Sequence, residues 1–174
     1  MAKLQLITPN VAYEQDYKAF YQDWQDSGRA IIPSVAKDLP ADFAGYVQRL
    51  NDNAQGIGLE EGIVPNSTFW LVNEENNEVL GAVNIRHQLT PYLERVGGHI
   101  GFGLRPTARG KGYAKTMLAL SLKEAKSLEL EKVLITCDVD NVTSEKTILK
   151  NGGRRSTDEQ TEEGIIVHRF WIDL

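Results

Sequence analysis

Apolar residues recur along the first half of the chain with two different spacings. Aromatic side chains in residues 13–24 fall three or four positions apart, which predicts an amphipathic helix that packs this face on a core. Residues 40–53 carry a second helical pattern that begins near a proline. Runs rich in β-branched and aromatic residues predict strands at Leu4–Ile7, 68–72 and 79–85, and the last two read as a hairpin.

The second half of the chain alternates strands with helices. We predict strands at 98–104 and 132–137, helices from the turn 109–114 to about residue 128 and from 141 to 151, and closing strands at 154–157 and 165–172. Residues 90–97 and 158–164 read as connections, the second of them acidic. Together these elements predict one α/β domain over residues 1–174.

Composition narrows the class of protein. The chain has 174 residues, of which 41% are hydrophobic and 25% are charged, as is ordinary for a globular domain. A net charge of −5 argues against nucleic acid as a partner. No apolar run is long enough to cross a bilayer, so no membrane partner is expected. The single cysteine, Cys137, excludes an intrachain disulfide framework and favours a reducing compartment, so we expect a cytoplasmic protein.

The segment 109–114, Arg-Gly-Lys-Gly-Tyr-Ala, follows a predicted strand and opens a helix. The first N–H groups of a helix lack intrahelical partners, and its dipole favours negative charge there. Two glycines let the backbone approach a ligand closely, and two cations flank them. This pattern predicts a phosphate or pyrophosphate site. A Walker loop is excluded because Tyr113 follows Gly112, and the dinucleotide fingerprint is incomplete because Lys115 occupies its third glycine position.

The pattern that does match is Arg-x-x-Gly-x-Ala, formed by Arg109, Gly112 and Ala114. Downstream, Asn141 opens a helix, a small residue follows at Ser144, and the helix ends at Gly152-Gly153. With these features in this order and spacing, the chain resembles the GCN5-related N-acetyltransferases (GNAT family), most closely over residues 96–153. The final residues, 169–174, also resemble a subgroup of bacterial acetyltransferases.

The resemblance implies a fold, a cofactor and a set of binding residues. The fold would be a mixed, mostly antiparallel central sheet flanked by helices, with a splayed pair of strands that binds the cofactor. The cofactor would be acetyl-coenzyme A, with its pyrophosphate in the turn 109–114 and its pantetheine arm along the strand 98–104. The implied cofactor-binding residues are Phe102, Gly103, Leu104, Arg109, Gly110, Lys111, Gly112, Tyr113, Ala114, Lys115 and Asn141. Homodimers are frequent in the family.

Acetyl transfer to an amine requires a base for the amine, stabilisation of the oxyanion and stabilisation of the leaving thiolate. His99 is the candidate base, because it lies where many family members carry a glutamate and an unperturbed histidine titrates near pH 6.5. A structural histidine on the strand is the alternative. The family's usual tyrosine acid corresponds to Ile148, which cannot donate a proton, so a hydroxyl of Ser144 or Thr147 is the substitute candidate. The alternatives are that each of these two is a cap or packing residue, and that the thiolate leaves without a dedicated acid.

The remaining titratable residues are expected to be structural. His87 and His168 read as strand histidines, and Cys137 reads as a small core residue rather than a nucleophile. No His or Cys cluster has the spacing of a zinc site, so no metal is expected.

We therefore expect an enzyme that transfers acetyl from acetyl-coenzyme A directly to the primary amine of a small-molecule or peptide acceptor. One alternative is a coenzyme-A-binding sensor or interaction module with little activity, which the missing tyrosine favours. A nucleotide-binding α/β protein is the other. The acceptor itself is not readable from the sequence.

Overall fold

The computed structural model describes residues 2–174, and its strands form two four-stranded groups. The first sheet has the order β1-β2-β3-β4, and all its neighbours are antiparallel. Its strands are β1 (Leu4–Ile7), β2 (Asn66–Asn73), β3 (Glu78–Arg86) and β4 (Ile100–Leu104). In the second group the last strand pairs with each of the other three. These strands are β5 (Lys132–Asp138), β6 (Arg154–Arg155), β7 (Glu159–Gln160) and β8 (Ile166–Asp173).

Within residues 2–174, four α-helices cover the sheets on two sides. They are α1 (Glu14–Ser27), α2 (Phe43–Ala54), α3 (Tyr113–Ser127) and α4 (Val142–Lys150). The aromatic stripe of α1 is core, as its spacing predicted: Tyr17, Phe20 and Trp24 are at most 1% exposed and pack with α2 against Trp70 of β2. A second core lies under α3, where Met117 and Leu118 meet the opposite face of the first sheet.

The observed elements agree with the sequence pattern except in three short segments. The predicted connection 90–97 contains a π-helical turn, Leu93–Gly97, and the predicted strand from residue 98 begins only at Ile100. The acidic connection 158–164 forms the short strand β7, because β8 has a free edge there that accepts two more residues. Backbone pairing across a sheet depends on the partner strand, which local sequence does not reveal.

The strands β4 and β5 are in contact at one end and separated at the other. The N–H of His99 donates to the carbonyl of Leu134 at 2.7 Å. Beyond this contact, within residues 2–174, β4 forms a ladder with β3 only and β5 forms one with β8 only. The predicted splayed pair is therefore present, and the sheet opens at this point.

Candidate active site

The turn before α3 presents unpaired backbone N–H groups. Gly110 and Gly112 adopt left-handed conformations with φ of 76° and 81°, which aim the chain into the first turn of the helix. Gly112 is the N-cap residue, and no side chain caps the helix. The N–H groups of Tyr113, Ala114 and Lys115 occupy the positions that have no intrahelical acceptor. The helix dipole favours an anion at this end.

The ladder between β3 and β4 decides which backbone groups of β4 are available. In an antiparallel pair, successive residues direct their N–H and C=O groups alternately toward and away from the partner strand. The N–H of Arg86 donates to the carbonyl of His99 at 2.7 Å, so positions 101 and 103 are also on the bonded side. The N–H groups of Phe102 and Leu104 therefore point away from β3, into the gap toward β5.

Gly103 has no side chain, and this allows another segment of the chain to pack closely against β4. A Cβ at this position would collide with the backbone carbonyl of Ile32, and a Cβ at Gly101 would lie 3.3 Å from the side chain of Pro33. The connection between α1 and α2 therefore rests directly on β4. Glycines inside a strand often mark either a bulge or a close approach of another backbone. Gly101 and Gly103 mark a close approach.

A cavity of about 880 Å³ joins the turn, the open edge of β4 and the first turns of α4. Among its lining side chains, five are basic and one, Asp140, is acidic. The basic residues are Arg29, Arg109, Lys115, Lys146 and Lys150. Within residues 2–174 none of these five forms an ion pair. The cavity therefore suits an extended ligand that carries several negative charges, as a phosphorylated carrier does.

Arg109 lines this cavity in a different way from the glycines beside it. Its guanidinium lies over the ring of Trp24, 4.9 Å from the centroid, and its Nε donates to the carbonyl of Leu104 at 3.3 Å. Burial and the neighbouring Arg29 lower the pKa of this guanidinium. Arg109 thus joins α1 to the end of β4.

The first turn of α4 forms the opposite wall. Asn141 is the N-cap, and its Oδ1 accepts from the N–H of Ser144 at 3.1 Å. The Ser144 hydroxyl forms no hydrogen bond within residues 2–174 and lines the cavity, whereas the Thr147 hydroxyl donates to the carbonyl of Thr143. Ile148 is fully buried in the core beneath α3 and does not line the cavity. Of the two hydroxyls considered from the sequence, Ser144 is therefore the one without a partner in the described chain.

His99 is 6% exposed and lies where β4 and β5 meet. Its Nδ1 accepts from the N–H of Leu134 at 2.8 Å, so a neutral ring carries its hydrogen on Nε2. Burial and the nearby Arg86 lower its pKa to about 4. In this arrangement Nε2 is a donor and Nδ1 is already occupied, and His99 is not among the described residues that line the cavity. Service as a base would require the bond to Leu134 to break.

The other titratable residues considered from the sequence lie outside this cavity. Burial and the carboxylates of Glu145 and Asp138 raise the pKa of the Cys137 thiol to about 11, so it is protonated at neutral pH. His87 is bonded to the hydroxyl of Ser67 at 2.8 Å. His168 is 9% exposed, with its Nδ1 3.6 Å from Glu145. None of these three residues lines the cavity.

The structure also adds lining residues that sequence reasoning missed. Trp24, Arg29 and Ile32 enter the cavity from α1 and the connection after it, while Lys146 and Lys150 enter from α4. The lysines are four positions apart, a spacing that places them on one helix face. No local signal distinguishes this cavity-lining face from a solvated one.

Comparison with known proteins agrees with this geometry. Residues 6–154 match the acetyltransferase (GNAT) domain family. No curated protein matches the chain at the level of sequence. Within residues 2–174, no helix is both long enough and apolar enough to span a membrane.

Solved structures with the same fold are distant in sequence. The microcin C7 self-immunity acetyltransferase MccE, in complex with acetyl-CoA and AMP, superposes with a TM-score of 0.71 at 16% identity, covering 99% of this chain and 93% of that one. The ribosomal-protein-S5-alanine acetyltransferase from Vibrio fischeri gives 0.71 at 14% identity, with 99% and 94% covered. The L7/L12 α-N-protein acetyltransferase RimL, in complex with coenzyme A, gives 0.72 at 14% identity, with 100% and 96% covered.

The fold and the site have the features expected of a class of protein that binds a phosphorylated carrier between splayed strands and at a helix N-terminus. The family match covers most of the chain, and the chain belongs to the GNAT acetyltransferases. It is an acyltransferase that depends on acetyl-coenzyme A. The alternatives of a coenzyme-A sensor and of a nucleotide-binding protein find no support.

Proposed function

We propose that this enzyme transfers the acetyl group of acetyl-coenzyme A to the primary amine of a small-molecule or peptide acceptor by direct attack. The observation that carries this proposal is the open edge of β4 beside the free N–H groups of α3. Both lie in one basic cavity, and Asp140 is the only carboxylate that residues 2–174 contribute to its lining. Such a cavity brings a phosphorylated donor to a gap that the acceptor can reach from the side of α1 and α2.

The residues present fit coenzyme A. The N–H groups at the start of α3 and the cations of Lys115, Lys146 and Lys150 would hold its phosphates. The free edge at Phe102 and Leu104 would pair with its pantetheine arm, and the Asn141 side chain amide would bond the same arm. When bound, the cofactor supplies an activated acetyl group.

The chain's own contribution to the reaction is chiefly positioning. A backbone N–H on β4, at Phe102 or Leu104, would donate to the oxygen that gains negative charge, and one such donor is typically worth about 3 kcal/mol in the transition state. Ser144 would donate its hydroxyl to the departing sulfur. We propose His99 as the base, and the pH–rate profile of His99→Gln tests this role.

Several named relatives suggest the range of acceptors. RimL and the Vibrio fischeri enzyme are named for ribosomal proteins, and MccE is named for microcin self-immunity. An amine of a peptide or of a small molecule is thus the proposed acceptor for this chain. We also propose that the chain forms a single domain, that the protein is cytoplasmic and that it is a homodimer.

Steady-state kinetics tests this function. The protein is mixed with acetyl-coenzyme A and a panel of amines, and the released thiol is followed. We expect thiol release to depend on the amine, with intersecting lines in double-reciprocal plots because both substrates must be bound together. Ser144→Ala should lower kcat about 10- to 150-fold and leave the Kd of coenzyme A unchanged, because a hydrogen bond to a charged group is worth about 1.5–3 kcal/mol.

Cys137→Ala is the matched control, because a buried, protonated thiol should not carry the acetyl group. It should retain the wild-type rate, and mass spectrometry should find no acetyl-enzyme after incubation with acetyl-coenzyme A alone. Parallel kinetic lines, or an acetyl group on Cys137, would refute direct attack.

A further inference from the structure

A second cavity, of about 420 Å³, lies on the face of the first sheet that α1 and α2 cover. Its floor is formed by Asn66, Asn84 and Arg86. Its rim is formed by exposed or half-buried residues of three connections, among them Val35, Ile63 and Tyr92. This second cavity shares no lining residue with the 880 Å³ cavity at the start of α3.

Arg86 is the distinctive residue of this floor. Its Nη1 donates to the carbonyls of Gly97 and Gly98, at 3.1 and 2.9 Å. Within residues 2–174, Nε and Nη2 have no hydrogen-bond acceptor, and no carboxylate lies within ion-pair distance of the guanidinium. Cations of long side chains that are half-buried normally have a partner. Part of this guanidinium is thus free to bind a ligand.

The neighbouring polar groups add donors rather than negative charge. The Asn84 amide nitrogen donates to Asn66 and Thr68, so these groups satisfy one another. Along the rim, the hydroxyls of Ser34, Thr90 and Tyr92 donate to no protein acceptor in the described chain. A cation surrounded by hydroxyl donors, with no carboxylate in the lining, suits an anion.

The ladder fixes where this cavity lies relative to the reacting end of β4. The backbone N–H of Arg86 donates to the carbonyl of His99. Phe102 of β4 lies three residues after His99 along the chain. Three residues of strand span roughly 10 Å. Ile32 and Pro33 rest on β4 between the two cavities. A group held by Arg86 would therefore be several bonds from an amine that reaches the edge of β4 beside this segment.

We propose that the second cavity is the acceptor's anchoring site, where Arg86 binds a carboxylate that lies several bonds from the reactive amine. This inference rests on the proposed acetyl transfer and names the class of its acceptor, an amino-carboxylate compound. The apolar rim at Val35 and Ile63 would cover the hydrocarbon between the two ends. A carboxylate on a small molecule and one on an acidic peptide side chain share this chemistry.

The test compares acceptors that differ only in one charge. The small-molecule pair is 6-aminohexanoate and 6-aminohexanamide, and the peptide pair is Ser-Ala-Asp and Ser-Ala-Asn, both amidated at the C-terminus. We expect the wild type to favour the acid of at least one pair by about tenfold or more in kcat/KM. Arg86→Gln should reduce this ratio to near one, and Arg86→Lys should restore part of it. The pair that shows the preference identifies the source of the carboxylate.

Arg95→Gln is the matched control. It removes the same charge from the adjacent turn, where Arg95 pairs with Glu159 at the surface. This variant should retain the wild-type preference. Equal use of acid and amide by the wild type, or an equal loss of preference in Arg95→Gln and Arg86→Gln, would overturn the proposal.

A binding measurement separates this proposal from the proposed function. Calorimetry with 6-acetamidohexanoate and its amide, in the presence of coenzyme A, requires no turnover. Tighter binding of the acid by the wild type, lost in Arg86→Gln and kept in Arg95→Gln, supports the anchoring site even if no amine is acetylated. If amines are acetylated but the acid and the amide do not differ in kcat/KM or in affinity, the anchoring site is refuted and the proposed function still stands.

Discussion

At the scale of the residue, His99 shows how one side chain can replace a missing strand contact. Its ring accepts the N–H of Leu134 and its backbone N–H donates to the carbonyl of the same residue. A buried N–H without an acceptor costs about 1–3 kcal/mol, so the ring stabilises the point where β4 and β5 separate. The sequence indicated a titratable residue at this position, but the acceptor role depends on β5, more than thirty residues away.

This role predicts a pH dependence of stability. The folded-state pKa of about 4 lies below the ordinary value of 6.5, so the unfolded chain binds a proton that the folded chain does not. Stability should therefore fall as pH falls from 6.5 toward 4, and His99 should account for about 2 kcal/mol between pH 7 and pH 5. Urea unfolding of the wild type and of His99→Gln at both pH values measures the difference.

Gln is the suitable replacement because its side-chain carbonyl can accept the N–H of Leu134 and does not titrate. An identical pH dependence in the two proteins would contradict the lowered pKa. The pH–rate profile of the same pair tests the base role. If His99 is the base, His99→Gln should lose most of its turnover, whereas a positioning role predicts turnover near that of the wild type.

At the scale of the element, the start of α3 is defined by backbone conformation more than by side chains. Gly112 has a φ of 81°, and a Cβ built there has no protein atom within 4 Å. A side chain at this position would therefore meet a bound ligand before it met the protein. The sequence predicted this turn well, because glycine, cation and helix start are all local signals.

Substitution of Gly112 by Trp should reduce the affinity for acetyl-coenzyme A by more than tenfold, because the indole would occupy the space of the phosphates. Calorimetric titration measures this loss. The matched control is Gly58→Trp, since Gly58 has a φ of 67° and no atom within 4 Å of a Cβ. Both variants strain the backbone by about 1–2 kcal/mol. Unchanged affinity in Gly112→Trp, or an equal loss in both, would contradict the assigned site.

At the scale of the whole molecule, one ion pair connects α1 to the segment that joins β4 to α3. The Oδ2 atom of Asp23 accepts from Arg105 Nε and from the Thr107 hydroxyl, both at 2.6 Å. The side chains of Asp23 and Arg105 are 10% and 12% exposed. Burial alone would raise the pKa of Asp23, but the hydrogen bonds from Thr107 and Arg105 outweigh it and lower the pKa. This network fixes the segment between β4 and α3 against α1.

Asp23→Ala should destabilise the protein by about 3 kcal/mol, because within residues 2–174 it leaves Arg105 with Glu78, which is more exposed, as its only carboxylate partner. It should also raise the KM for acetyl-coenzyme A more than it lowers kcat, since the turn is positioned less well. Thermal unfolding and steady-state kinetics measure the two effects. Asp26→Ala, on the exposed side of the same helix, should change neither. A kcat effect larger than the KM effect would contradict a positioning role.

The sequence by itself predicted most of the helices and strands, the glycine-rich turn before α3 and the family, because each depends on spacing within a short segment. Asn141 and Gly112 were readable as a helix cap and a helix start for this reason. The tertiary structure alone decided that Ile148 is buried beneath α3, that the His99 ring is bonded to Leu134, and that Arg86 faces a cavity without a carboxylate. These facts depend on which distant segments pack together, and hydrophobic burial and strand pairing select those neighbours without a local sequence signal.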